Sequence, residues 1–140
     1  MTFFYFKHLN IMEKKTVRLS GECFLFKAAS EEDFIKLMDD DLVSSFELEN
    51  AFFIETDGDA DMEFKCDVPK SKDYIKAFIY NDGKVLGKYY LSTPQGYIPF
   101  ELSAVFESIG EDEFMIFGKI YDNEEIYYLE LDLIRIKSVL

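Results

Sequence analysis

Apolar and polar residues alternate one by one through much of this chain, in short stretches separated by turn formers. In Tyr97–Glu107, Ile98, Phe100, Leu102, Ala104 and Phe106 fall on one side and Glu101, Ser103 and Glu107 on the other. A period of two sends successive side chains to opposite faces of a strand, so each stretch specifies a sheet with one buried face. Thr16–Ala28 also alternates and is expected to be a strand that bends or bulges at Gly21 and is buried on both faces toward its end, and Phe114–Tyr121 is a further strand after a polar break. In Ile126–Lys137 the apolar phase changes after Leu133, which predicts a bulge or a crossing between sheet faces near Leu133–Ile134. Tyr74–Tyr80 and Lys84–Leu91 flank Asn81-Asp82-Gly83, a tight-hairpin signal because these residues tolerate the positive φ of a sharp reversal. Fifteen Phe and nine Tyr with no Trp add to the β preference.

One segment breaks the pattern. Ser30-Glu31-Glu32-Asp33 has the form of a capping box with Asp in place of Glu, and Phe34, Leu37 and Met38 follow at three- and four-residue spacing. A short helix over 31–39 is expected. The fold class is therefore mainly β: an antiparallel barrel or two-sheet sandwich of seven or eight strands, with one early helix capping an open end. At 140 residues the chain reads as a single domain over 1–140. Residues 1–11 have no charge-first leader pattern and read as an extension or an extra edge strand.

Charge is strongly localised. Glu31–Asp67 holds fourteen acids against Lys36 and Lys65, in a chain whose formal net charge is −13. Nucleic acids and anionic membranes are bound through clustered Lys and Arg, so neither is expected as a direct partner, and no apolar run is long enough to span a bilayer. Within that segment, Phe46–Glu55 and Met62–Val68 read as a hairpin around Thr56–Asp61. Phe46, Leu48, Phe52 and Ile54 are predicted to face the core, and Glu47, Glu49, Phe53 and Glu55 the outside, joined across the ladder by Glu63 and Asp67. Alternate positions along a strand lie about 6.6 Å apart, so these carboxylates would make a compact anionic patch, with Phe53 as an apolar anchor among them.

Chemistry-bearing motifs are sparse. Asp57, Asp59 and Asp61 alternate like the start of a calcium loop. The sixth position is Met62 rather than Gly and the twelfth is Val68 rather than Glu, so a charged hairpin tip is expected and no metal site. His8 is the only histidine and has no nucleophile in local register, which leaves neither a catalytic triad nor a His-ligated zinc site. The glycines form no phosphate-cradling cluster. Neither a catalytic residue nor a cofactor is assigned, and the chain is not read as an enzyme. Cys23 and Cys66 form no CxxC pair and read as half-buried thiols of a cytoplasmic, reducing compartment, with one disulfide between them as the alternative. Tyr89, Tyr90, Tyr97, Tyr121, Tyr127 and Tyr128 are of a type enriched at protein interfaces.

The expectation is a small acidic module that binds a basic protein partner through Glu47, Glu49, Phe53, Glu55, Asp57, Asp59, Asp61, Glu63 and Asp67. It would act as an inhibitor or immunity-type antagonist of a target such as a nucleic-acid-acting protein, presenting carboxylates where the target expects phosphates. Two other readings stand beside it: a barrel or sandwich enclosing an apolar small ligand, and a non-catalytic subunit of a homo-oligomer or larger assembly.

Overall fold

The computed structural model describes residues 15–28, 42–122 and 125–137. Nine strands follow in order: β1 (Thr16–Ala28), β2 (Leu42–Glu47), β3 (Glu49–Glu55), β4 (Met62–Asp67), β5 (Tyr74–Ile79), β6 (Lys84–Thr93), β7 (Gly96–Ser108), β8 (Glu113–Asp122) and β9 (Glu125–Arg135). Each neighbour pair is antiparallel. β1 pairs with β9 along Leu19–Ala28, which closes eight strands into a barrel and decides barrel over sandwich. β2 is the extra strand. It lies along the same edge of β1 as β3, against Glu22–Phe26, while β3 takes Thr16–Leu19. The helix expected over 31–39 lies outside the described residues. Among those described there is no helix, and hence none long and apolar enough to cross a membrane.

The runs of β4, β7 and β9 keep their expected phase: Phe64, Cys66, Leu102, Ala104, Leu129, Leu131 and Leu133 are buried in the barrel, while Ile98, expected on the same side, is exposed near the start of β7. Ile75 and Ala77 of β5, Val85 of β6 and Ile116 of β8 complete the interior. The turn at Asn81–Gly83 closes as its chemistry demands: Gly83 takes φ +89, its N–H donates to the Tyr80 carbonyl at 2.9 Å, and Lys84 N–H donates to Asp82 Oδ1 at 2.9 Å. Gly87 and Gly118 point inward where neighbouring strands crowd together. A Cβ on Gly87 would sit 2.3 Å from the Lys76 carbonyl oxygen, and one on Gly118 2.2 Å from that of Ser103, so only glycine permits this close approach.

Three expectations are corrected. Phe46–Glu55 is not one strand but two, β2 and β3, parted at Leu48, and its inner and outer faces exchange part-way. Phe46 and Leu48 pack on the core as expected. Then Asn50 adopts φ 49, and the pairing with β4 slips by one residue between Glu49 and Phe52. One extra residue in a period-two strand reverses every later side chain. Ala51 and Phe53 therefore turn inward, and Phe53 is only 3% exposed. Phe53 is thus a core residue, not an outer-face anchor.

The second correction concerns β9, which pairs with β1 and β8 without a register shift, so there is no bulge at Leu133–Ile134. Ile134 simply stands on the outside. The third is the bulge expected as one option at Gly21, where the ladder to β9 also runs unbroken. The irregularity in β1 falls between Leu25 and Phe26, against β2. Gly21 marks instead the point where β1 changes partner from β3 to β2, its carbonyl accepting from Leu48 N–H at 2.9 Å.

The inverted phase of β3 has a direct consequence for stability. Phe53 lies against Phe64, Phe106 and Phe114 at ring-centroid distances of 6.0, 5.7 and 5.4 Å. Phe53→Ala should therefore cost about 3–5 kcal/mol in urea-induced unfolding. Phe52→Ala, on the half-buried outer side, should cost no more than about 1 kcal/mol. The reverse ranking would mean that the strand keeps the unbulged phase.

Candidate functional site

An up-and-down barrel sorts its loops between two ends. The β3–β4, β5–β6 and β7–β8 connections, the start of β1 and the end of β9 share one end; the β4–β5, β6–β7 and β8–β9 connections share the other. The first end collects Glu55, Asp57, Asp59, Asp61, Asp82, Glu107, Glu111, Asp112 and Glu113, most of them exposed. Backbone hydrogen bonds tie its segments together: Glu55 N–H to Lys15 O (2.9 Å), Asp61 N–H to Ile79 O (2.9 Å), Phe106 N–H to Gly83 O (2.8 Å) and Arg135 N–H to Asp112 O (2.8 Å). Thr56 Oγ1 donates to the Ala60 carbonyl and closes the β3–β4 tip. The carboxylates thus stand on a fixed rim rather than on loose loops.

The residues expected to form one anionic face are brought together only in part. Glu55, Asp57, Asp59 and Asp61 lie at the acidic end. Glu47 lies on β2, directly opposite Glu22 of β1, and Glu49 pairs with Asp67 beside the bulge, where Asn50 Nδ2 donates to Asp67 Oδ2 at 2.9 Å. Glu63 has Ile54 and Phe78 as its cross-strand neighbours, and its carboxylate is 3.9 Å from Lys76 Nζ. The outer face of β4 also meets lysines: Lys65, Lys76 and Lys88 stand opposite one another across β4, β5 and β6, with Lys88 3.7 Å from Glu101. A continuous carboxylate ladder is therefore absent from the outer wall. The acids missed by sequence reasoning are those of the β5–β6 and β7–β8 turns, far along the chain from the acidic segment.

Cations also stand at the acidic end, Lys84 at the β5–β6 turn and a group between the first and last strands. Lys15, Thr16, Val17 and Arg18 from the start of β1, Glu111 and Asp112 from the β7–β8 turn, and Arg135, Ile136 and Lys137 enclose an open cleft of about 600 Å³. Beside it, Lys15, Val17, Phe53, Glu55, Met62 and Arg135 line a mostly apolar hollow of about 210 Å³ at the barrel mouth. No local spacing in the sequence pairs residues 15–18 with 135–137; closure of the barrel does.

At the other end, Asp73 is a structural brace. Its Oδ2 accepts from Tyr89 Oη at 2.7 Å and its Oδ1 from Ser92 N–H at 2.7 Å, and burial together with this bond to Asp73 raises the Tyr89 phenol above its usual range. Tyr74 and Tyr90 stack at 4.5 Å with Tyr97 edge-on, and Tyr97 Oη donates to the Lys72 carbonyl at 3.0 Å. The paired tyrosines split as alternation requires: Tyr89 packs on the core and Tyr90 faces out. Tyr127 packs inward, whereas Tyr128 takes the outer phase and is nonetheless fully buried.

Among the described residues no group of three His, Cys, Asp or Glu side chains converges as a metal site. The chain matches no protein-family profile, no curated protein and no solved structure, so this barrel must be interpreted from its own chemistry.

Cys23 and Cys66 are free and fully buried. Burial pushes the Cys66 thiol up to about 12, with the Asp67 charge adding to it; burial, then the nearby Cys66, pushes Cys23 up as well. Thiolate is the reactive form. Neither cysteine should react with Ellman's reagent at pH 8 in the folded protein, and both should react in denaturant; fast labelling of either in the native state would contradict the packed interior.

Proposed function

We propose that this protein is an acidic protein-binding module whose carboxylate-rimmed barrel end docks onto a basic surface of a partner protein. The observation that carries this reading is the rim itself: acids from three alternate hairpin turns, β3–β4, β5–β6 and β7–β8, meet at one end and are held there by inter-loop backbone hydrogen bonds. Gathering like charge has a repulsive cost, and a cationic partner offsets it. A partner that normally binds phosphates, such as a nucleic-acid-acting protein, presents the complementary surface, and the module then acts as its antagonist by occupying that surface. The two free cysteines fit residence in a reducing compartment such as the cytoplasm. No catalytic role is assigned.

Packing weighs against an apolar ligand held in the barrel centre. Phe64, Ile75, Ile116, Leu129 and Leu131, all inward-facing, have no solvent exposure and fill the middle with side chains.

The test is capture of a basic partner from the host's own extract, followed by charge reversal. Asp57→Lys, Asp59→Lys and Asp61→Lys combined should weaken binding at least about tenfold at low salt, with most of the loss in the association rate. The wild-type complex should weaken as salt rises. Undiminished binding by the triple variant would exclude the acidic rim as the docking surface.

A further inference from the structure

The cleft between the first and last strands is a second site, chemically unlike the rim around it. Four of its lining residues are cations in a chain of formal net charge −13. Lys137 is neutralised by Asp112, Nζ to Oδ2 at 2.9 Å. Lys15, Arg18 and Arg135 form no ion pair among the described residues, and the two unmatched carboxylates at the borders are Glu111 and Glu55. Lys15 and Arg135 line both the cleft and the adjoining hollow, so two unpaired cations stand where a polar space meets an apolar wall of Val17, Phe53 and Met62.

We propose that the cleft and hollow together bind a small amphipathic anion: a carboxylate or phosphate head held by Lys15, Arg18 and Arg135, with a short aliphatic or single-ring tail against Val17, Phe53 and Met62. All three cations are exposed, so an anionic head can reach them and take charge-assisted hydrogen bonds while its tail leaves water for the adjoining hollow. The walls are fixed before binding. Ile136 N–H donates to Arg18 O at 2.9 Å, Glu55 N–H to Lys15 O at 2.9 Å, and Arg135 N–H to Asp112 O at 2.8 Å, so the backbone carrying all three cations is already in place. Tail length is limited. Phe53, Phe106 and Phe114 contact one another at centroid distances of 5.4 to 5.7 Å and close the way further into the barrel, which leaves about 210 Å³. A long acyl chain does not fit that space. The head position joins Lys15 and Arg18 at the start of β1 to Arg135 at the end of β9, and the site is independent of the partner-docking reading.

The proposal is tested by isothermal titration of the full chain with octanoate, 1-octanol and sulfate. Octanoate should bind saturably, and the other two, lacking head or tail, at least tenfold more weakly. Arg135→Gln and Lys15→Gln should each weaken octanoate tenfold or more, and Met62→Ser severalfold, with melting temperatures confirming that each variant is folded. Lys72→Gln, which removes an exposed cation from the β4–β5 turn at the opposite end of the barrel, should leave octanoate affinity unchanged. Octanol binding as tightly as octanoate would reduce the site to an apolar hollow, and sulfate binding as tightly would reduce it to ion exchange. Either result, or no saturable octanoate binding up to about 10 mM, overturns the proposal.

Discussion

Leu19–Ala28 of β1 pair residue for residue with Ile126–Arg135 of β9, and the rest of the barrel depends on that seam. Without it, the strands form an open sheet from β1 and β2 at one edge to β9 at the other, with a one-sided apolar surface. With it, the inward face becomes an interior. The partners are more than ninety residues apart for every pair in the seam, so the closing contact carries the largest loop entropy in the fold and becomes favourable only once the intervening hairpins have shortened the effective loop. Gly87 and Gly118 belong to the same geometry. At both positions a strand lies so close to its neighbour that a methyl group would meet backbone, the tight local approach expected where a sheet coils to close.

The seam also explains why β2 exists as a separate strand. β1 is long enough to hold two partners in succession on the edge opposite β9, and Gly21 stands at the changeover. The chain passes from one partner position to the next through Leu48 and the left-handed Asn50, and the residue gained there turns Phe53 into the core. Asparagine suits that conformation because its short polar side chain tolerates positive φ, and here it also bonds Asp67. A single backbone irregularity thus decides which of two adjacent phenylalanines stabilises the protein.

Charge follows topology in the same way. Fourteen acids within Glu31–Asp67 suggest one anionic face when the chain is taken as a line. In the barrel, part of that segment lies on the wall among Lys65, Lys76 and Lys88, and the acidic end is completed by Asp82 and by Glu107–Glu113 from later hairpins. Because screening confines exposed charges to a neighbourhood of about 8–10 Å, local assemblies of this kind, not the net charge, set what each surface can attract. The same end therefore carries an anionic rim and, at the strand seam, a cationic cleft.

The sequence by itself determined the elements from β4 to β9, the inward faces of β4, β7 and β9, and the tight turn at Asn81–Gly83, because period-two burial and positive-φ turns are local requirements that residue types satisfy one position at a time. It also determined that Cys23 and Cys66 fall on inward positions. Only the tertiary structure decided barrel over sandwich, the inverted phase of Phe52 and Phe53, and the meeting of Lys15 and Arg18 with Arg135 and Lys137. Those outcomes depend on strand pairing across the whole chain. Alternation specifies a face but not the neighbour that covers it, and one bulged residue or one closing ladder changes which side chains share that face.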